Sequence, residues 1–327
     1  MKKILAMLLA VMMLLSVASV AMADEGDTNT PATPTTDMTT VTIKKVYKLT
    51  NDGTKSPAET FTLTQVGKGS VTDSEATEAP DLGTITGAIF GEDAATVKGT
   101  EGSITVVLPT YEHVGVYTYI LKETDNNTAG VTYFGNNIKL VVTVVNGEKG
   151  KLRIAAVHTE AVGENKSDTF VNTYSAGTLK VTKTVEGNLG DEGKYFEFKV
   201  TLTGVTGKTY GASYAVSGGS NASNPTTIKI GEETTFLLKH GETISIANLP
   251  YDVTYTVTET AATGYTTTKT DDTGTINQAE QTAAFVNKRE GTIDMGVMLD
   301  SMPYVLVLAV VGAAVIALIA KKRRAED

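Results

Sequence analysis

Two sets of the same three residue types, lysine, glutamate and asparagine, recur in the chain in the same order. The members are Lys45, Glu123 and Asn172, then Lys183, Glu259 and Asn287. The Lys-to-Glu separations are 78 and 76 residues, whereas the Glu-to-Asn separations are 49 and 28 residues. An amine, a carboxyl group and a carboxamide are the groups needed to join lysine to asparagine through a new amide bond. The repeat therefore marks two candidate sites for that chemistry.

Each of these polar residues lies in a strand-like segment, in phase with the apolar residues around it. Side chains on a β-strand alternate between two faces, so Lys183 shares a face with Val181 and Val185. The other five share a face with apolar neighbours in the same way. In the opening strand, this parity selects Lys45 and leaves Lys44 facing solvent. Lysine and glutamate are rarely buried without a partner, so we expect each set to meet in a core.

A buried lysine–glutamate pair beside an asparagine has two interpretations. It is either an inert structural ion pair or the precursor of an amide cross-link. Burial disfavours charged forms, so lysine can act as a neutral amine and glutamate as a neutral acid. The acid would hydrogen-bond the asparagine carbonyl, stabilise the developing oxyanion and pass a proton to departing ammonia. The second interpretation predicts the cross-links Lys45–Asn172 and Lys183–Asn287, with Glu123 and Glu259 as catalytic residues.

The segments that carry these residues predict an all-β fold. Between residues 40 and 290, short runs of Val, Ile, Thr and Tyr alternate with polar residues and are separated by Gly, Asn and Asp, which is typical of β-sandwiches. We predict no helix in this region. The small-residue joint Ser175-Ala176-Gly177 separates two halves that contain the same ordered segments. We therefore predict two tandem β-sandwich domains, at residues 40–174 and 177–289.

The composition excludes several classes of function. The 327 residues carry a formal net charge of −9, whereas a protein that binds nucleic acid needs a basic face. The absence of cysteine and the three scattered histidines argue against disulfides, thiolate zinc sites and histidine clusters. We therefore expect no nucleic acid partner, no metal and no cofactor. The sequence also lacks a nucleophile elbow and an HExxH motif, so we do not expect an enzyme beyond single-turnover cross-linking.

The N-terminal region has the character of an export signal. Residues 1–23 combine Lys2-Lys3, an apolar run and the small-residue end Ala21-Met22-Ala23, which is the pattern of a cleaved secretory signal peptide. Residues 24–39 form a leader rich in threonine and proline. We therefore expect the mature chain to be secreted.

The C-terminal region, residues 290–327, has the character of a sorting tail. An uncharged stretch at 303–320 is followed directly by basic residues at 321–324. This order predicts a transmembrane helix with a cytoplasmic stop. Together with the export signal, it predicts a protein displayed on the cell surface.

At these residues the sequence resembles the major shaft pilins of Gram-positive bacteria. The resemblance is carried by Val181-Thr182-Lys183, by Leu249-Pro250 followed by Tyr255-Thr256-Val257-Thr258-Glu259, and by Phe285-Val286-Asn287. It covers nearly the whole chain and implies two Ig-like, CnaB-type domains with internal Lys–Asn isopeptide bonds. The first domain departs from the family pattern, since Ile120-Leu121-Lys122 replaces the usual Thr-rich run before its glutamate. The implied function is a structural subunit of a covalent, cell wall-anchored pilus.

The resemblance also implies that a sortase processes the tail. Family members carry a Leu-Pro-x-Thr-Gly signal, and the equivalent residues here are Thr292, Ile293, Asp294, Met295 and Gly296. Asp294 stands where proline is usual, and Met295 stands where threonine is usual. The implied partners are a pilus or housekeeping sortase, other pilin subunits and peptidoglycan.

Polymerisation also requires an exposed amine on the next subunit. In the resembling subunits this lysine lies just upstream of the first domain's acceptor asparagine. Lys166 lies six residues before Asn172, in a polar segment whose loop character favours exposure. The resemblance therefore assigns polymerisation to Lys166. The alternative function is a monomeric adhesin, anchored to the wall or membrane, that binds a host protein or glycan.

Overall fold

The structure is a computed structural model that describes residues 37–292 and 306–316. The described chain is built almost entirely of β-strands and the loops that connect them, which confirms the predicted fold class. Between residues 40 and 290, the only helical element described is a short 3-10 helix, Glu148–Gly150. The predicted signal peptide at 1–23 and the sorting residues 293–296 lie outside the described residues.

The first half of the described chain is a β-sandwich. Its strands are β1 (Thr40–Leu49), β2 (Glu59–Phe61), β3 (Leu63–Gln65), β4 (Ser70–Thr72), β5 (Ile85–Thr86), β6 (Ala88–Phe90), β7 (Thr100–Val107), β8 (Gly115–Glu123), β9 (Val131–Thr132), β10 (Ile138–Asn146), β11 (Leu152–Ala161) and β12 (Thr169–Tyr174). One sheet has the order β5-β7-β1-β12-β9, and the other has the order β11-β10-β8-β3, with β4 also paired to β8. The short strands β2 and β6 pair with each other.

The second half repeats this architecture. Its strands are β13 (Ala176–Glu186), β14 (Phe196–Thr203), β15 (Tyr214–Gly218), β16 (Thr227–Ile228), β17 (Glu233–Leu238), β18 (Thr243–Pro250), β19 (Thr254–Glu259), β20 (Thr266–Thr270), β21 (Thr273–Thr275) and β22 (Glu280–Lys288). One sheet has the order β16-β15-β18-β13-β22-β20, and the other has the order β17-β14-β19-β21.

Each half has its own hydrophobic core. The alternation of buried and exposed residues along β8 places Tyr117, Tyr119 and Leu121 inside. Along β19, the same alternation buries Tyr255 and Val257. Tyrosine and β-branched residues suit a pleated surface that is buried on one face, and the period of two places every second residue in the core.

In both halves, the strand that carries the lysine pairs in parallel with the strand that carries the asparagine. Lys45 lies opposite Phe170, and Lys183 lies opposite Phe285. Each asparagine lies two residues beyond its phenylalanine, on the same face of the strand. The offset between amine and carboxamide is therefore the same in both halves.

The segment between the two halves is short and hydrogen-bonded. Ser175 lies between β12 and β13, whereas the predicted joint also included Ala176 and Gly177, which belong to β13. The Ser175 N–H donates to the Gly130 carbonyl at 2.8 Å, and its carbonyl accepts from the Tyr251 N–H at 3.0 Å. Ser175 is therefore held by backbone from both halves.

A helix occupies residues 306–316, inside the predicted span at 303–320. Its large apolar side chains are exposed. Among the described residues, no helix has both the length and the apolar character needed to cross a membrane.

Candidate cross-linking sites

In the first sandwich, the three members of the set contact one another directly. The Lys45 Nζ donates to Glu123 Oε2 at 2.9 Å and to Asn172 Oδ1 at 2.7 Å. The Asn172 Nδ2 donates to Glu123 Oε1 at 2.9 Å. The carboxyl group therefore joins the amine to the carboxamide, with one oxygen on each nitrogen.

The surroundings of this site are apolar. The side chains of Lys45 and Glu123 are 1% and 0% exposed, and the amine lies 5.3 Å and 5.8 Å from the ring centroids of Phe61 and Phe134. Burial lowers the pKa of Lys45, although the adjacent Glu123 opposes this shift. The site therefore favours a neutral amine more than water does.

In the second sandwich, the same residue types meet with a different hydrogen-bond pattern. The Lys183 Nζ donates to both carboxyl oxygens of Glu259, at 3.0 Å and 2.9 Å. The Asn287 Nδ2 donates to Glu259 Oε1. Within the described chain, the buried Asn287 Oδ1 has no hydrogen-bond partner. Here the glutamate again contacts both nitrogens, but the carbonyl oxygen is left unpaired.

Aromatic rings also enclose the second amine. The Lys183 Nζ lies 4.2 Å from the ring centroid of Phe196 and 5.7 Å from that of Phe198. The side chains of Lys183 and Glu259 are 0% and 2% exposed. Burial lowers the pKa of Lys183, and the hydrogen bond to Glu259 opposes this effect.

The topology explains why these residues meet. Within each sandwich, the lysine and the asparagine come from neighbouring parallel strands of one sheet, whereas the glutamate comes from a strand of the other sheet. A core-facing side chain of one sheet projects toward the core-facing side chains of the other. Each glutamate therefore enters the core from the side opposite the amine and the carboxamide.

The geometry differs in one respect from the sequence-based expectation. We expected the acid to hydrogen-bond the asparagine carbonyl, whereas the Glu123 carboxyl contacts Asn172 Nδ2 and the carbonyl oxygen contacts Lys45. Rotation of the carboxamide by half a turn would exchange the two groups. In the present arrangement, the glutamate is placed to move a proton between nitrogens rather than to stabilise the oxyanion.

Sequence reasoning missed one polar contact to the first catalytic candidate. The backbone N–H of Phe134 donates to Glu123 Oε2 at 2.8 Å. Phe134 follows β9 in a loop, where strand parity gives no direction, so no pattern indicated this contact. Phe196 and Phe198 of β14, by contrast, are two residues apart and therefore both face the core, where they are buried.

The structure places Lys166 in the segment that precedes β12. Its side chain is exposed, and it forms an isolated antiparallel bridge with Glu160 of β11. Glu160 in turn pairs with Lys139 at 3.0 Å. Of the predicted sorting residues, only Thr292 is described, and it is exposed.

A metal centre has no support among the residues that the structure describes. No group of three or more His, Asp or Glu side chains there could hold a metal ion. The feature that both sandwiches share is instead the contact of a buried glutamate with a lysine and an asparagine.

Two family descriptions match consecutive parts of the chain. Residues 41–175 match the Spy0128-like isopeptide containing domain, and residues 177–289 match a domain of unknown function, DUF7601. A curated pilin from Streptococcus pyogenes serotype M1 is 30% identical over 233 residues, covering 63% of this chain and 67% of that protein. The chain belongs to the pilin family. This pilin is therefore a structural pilus subunit of the bacterial surface that associates with other pilus subunits, and its family is not one of enzymes.

Two further proteins are similar to all or part of this chain. The crystal structure of the major pilin from Streptococcus pyogenes is 23% identical in sequence to this chain and superposes with a TM-score of 0.52. The match covers 78% of this chain and 100% of that chain. This likeness shows a shared fold. The pilus tip adhesin Cpa of Streptococcus pyogenes is 30% identical over 129 residues, covering 37% of this chain and 18% of the adhesin. The second match is therefore local.

Proposed function

We propose that each sandwich forms one intramolecular isopeptide bond. The bonds join Lys45 to Asn172 and Lys183 to Asn287, with Glu123 and Glu259 as the catalytic residues. The observation that carries this proposal is the contact of Lys45 Nζ with Asn172 Oδ1 at 2.7 Å while Glu123 contacts the nitrogens of both. An inert ion pair requires the lysine and the glutamate but gives no reason for a carboxamide in the same contact.

The reaction is a single transamidation. The neutral amine of lysine attacks Cγ of asparagine, the glutamate takes a proton from the attacking nitrogen, and it delivers a proton to Nδ2. The Cγ–Nδ2 bond breaks, ammonia leaves, and an Nζ–Cγ amide remains. Because the strands already hold amine and carboxamide in contact, the entropic barrier to their meeting is removed during folding.

The bonds would stabilise the subunit outside the cell, where the chain has no cysteine for disulfides. Lys45 and Asn172 are 127 residues apart. By analogy with a disulfide, closing a loop of this length restricts the unfolded chain by about 5 kcal/mol. An amide also resists reduction, which a disulfide does not.

The pilus itself would be assembled by a sortase. We assign the acyl donor to the region Thr292 to Gly296 and the acceptor amine to Lys166 of the next subunit. The exposure of Lys166 supports this assignment. Lys166 also lies on the segment that leads into the strand that carries Asn172. The same tail would finally be transferred to peptidoglycan. The two cross-linked domains of the subunit would span residues 40–174 and 177–289.

Mass spectrometry tests the internal bonds, and a blot tests the polymer. The full chain should lack two ammonia equivalents, and proteolysis should release one cross-linked peptide pair from each domain. A boiled cell-wall extract should give a regular ladder of high-mass bands. An intact mass without ammonia loss would leave only the ion-pair interpretation, and a single band on the blot would favour the membrane-anchored adhesin.

A further inference from the structure

On one of its two edges, the strand that carries Lys183, β13, loses its strand partner just before the lysine. The antiparallel pairing of β13 with β18 ends at Thr182 opposite Thr243. Beyond that point the backbone of Lys183 bonds to a turn instead. Its N–H donates to the Glu242 carbonyl at 3.0 Å, and its carbonyl accepts from the Gly241 N–H at 2.9 Å.

This turn, Lys239–Glu242, is locally well defined. The Glu242 N–H donates to the Lys239 carbonyl at 3.1 Å, which closes a four-residue turn. Gly241 has a φ of 74°, a left-handed conformation that glycine adopts without strain at the third position of a type II turn. The Glu242 carboxylate also accepts from the Lys239 N–H at 3.1 Å. His240 therefore occupies the second position of a turn whose backbone is held by hydrogen bonds.

From this turn, the His240 side chain supplies the next hydrogen bond along the edge of β13 where the pairing with β18 has ended. Its Nδ1 accepts a hydrogen bond from the Val185 N–H at 3.0 Å. Val185 is 3% exposed, and a buried backbone N–H without an acceptor costs free energy. On its other side, Val185 lies opposite Asn287 in the parallel register. The imidazole thus takes the place of a strand carbonyl next to the site.

The first domain has no such interruption at its lysine. Lys45 lies opposite Gly102 of β7 on one side and opposite Phe170 on the other, and the antiparallel pairing continues to Tyr47 opposite Thr100. A side-chain acceptor is not needed there, because regular strands flank the lysine on both sides. The first domain therefore serves as an internal reference for the second.

We propose that His240 is a positioning residue for the Lys183–Asn287 bond. Its Nδ1 holds the end of β13 in register, so that the Lys183 amine reaches the Asn287 carboxamide. This inference rests on the proposed cross-link in the second domain. A displacement of about 1 Å between reacting groups can slow a reaction about 100-fold, so loss of this acceptor should slow bond formation even in a folded domain.

The test compares His240→Leu with His240→Asn in the full chain. The asparagine Oδ1 can accept the Val185 N–H, whereas leucine cannot. Each chain is made by cell-free translation, samples are quenched at intervals, and the two cross-linked peptide pairs are quantified by mass spectrometry. The first-domain bond in the same molecules corrects for synthesis time. His113→Leu, which removes an exposed histidine of the first domain, is the matched control.

We expect His240→Leu to slow the second-domain bond about 10-fold or more relative to the first, and His240→Asn to restore the rate to within about 3-fold of wild type. A wild-type rate in His240→Leu, or equal slowing in both variants, overturns the inference. If the wild type itself forms no second-domain bond, it is the proposed function that fails.

A second measurement covers the case in which His240→Leu does not fold. Hydrogen exchange of the wild-type chain reports the Val185 amide directly. We expect this amide to be as protected as its neighbours in β13, because its donor is paired. Rapid exchange of the Val185 amide in the folded wild-type chain would remove the basis of the inference.

Discussion

Asn248 of the second domain holds the peptide backbone of Lys55 in the first. Its Oδ1 accepts the Lys55 N–H at 2.8 Å, and its Nδ2 donates to the Lys55 carbonyl at 2.9 Å. A carboxamide has the donor and acceptor of a peptide group, so Asn248 pairs with Lys55 as a strand residue would. With the bonds around Ser175, this contact joins the two sandwiches at a second place.

Removing this contact should loosen Lys55 without unfolding either domain. Asn248 has a φ of 60°, so Asn248→Gly keeps the backbone conformation and removes both hydrogen bonds. Their loss is worth about 1–2 kcal/mol, and amide exchange at Lys55 should accelerate about 10-fold. Unchanged exchange at Lys55 would show that the contact does not contribute. Asn248→Ala adds backbone strain and should have the larger effect.

Removing the second catalytic acid should leave the domain folded but not cross-linked. Glu259→Gln keeps the shape of the side chain and abolishes its proton transfer. The chain should gain one ammonia equivalent of mass relative to wild type, and the loss of about 5 kcal/mol of loop restriction should lower the melting temperature of this domain by roughly 20 °C.

The control for this variant is Glu233→Gln, which changes an exposed strand residue of the same domain that pairs with Lys199. It should alter neither the mass beyond the substitution nor the melting temperature by more than a few degrees. If Glu259→Gln still forms the bond, the assigned role of this glutamate is wrong.

Changing the acceptor lysine should abolish polymerisation and spare the internal bonds. Lys166→Arg keeps the positive charge but supplies no reactive amine, so the ladder in cell-wall extracts should disappear. Lys139→Arg is the matched control, because Lys139 pairs with Glu160, the residue that forms a backbone bridge with Lys166. A ladder that persists in Lys166→Arg and disappears in Lys139→Arg would transfer the role to Lys139.

The second domain without its bond should become more stable as the pH rises. In Asn287→Ala, the Lys183 amine stays free, and burial lowers its pKa from the ordinary value of 10.5. The unfolded chain then holds more protons than the folded chain between the two pKa values, so stability increases with pH up to about 10.5 and decreases as pH falls. Thermal unfolding of Asn287→Ala between pH 7 and pH 9.5 measures this trend.

The reference for that series is the double variant Lys183→Met with Asn287→Ala. It lacks the amine, so the difference between the two pH profiles isolates the lysine from the other titrating groups. Parallel profiles would mean that the Lys183 amine carries the same protons in both states. The raised pKa values of buried tyrosines such as Tyr214 then affect both variants equally.

Strand periodicity was sufficient to predict much of the site. A period of two directs Lys45 into the core and Lys44 outward, and the structure has Lys45 1% exposed and the Lys44 side chain 43% exposed. The all-β fold and the pilin resemblance followed from similarly local patterns, and both are confirmed. The roles of the site residues stay predictions, since burial and contact do not show that a bond forms.

The sequence by itself determined the residue types, their faces and the repetition of the set, because these depend on alternation within single strands. Only the tertiary structure decided which atoms meet. The parallel register that sets Asn287 two residues beyond Phe285, the imidazole of His240 on Val185, and the carboxamide of Asn248 on Lys55 all join segments far apart in the chain. Their distances follow from how the sheets pair and how the loops close, and no local period encodes either.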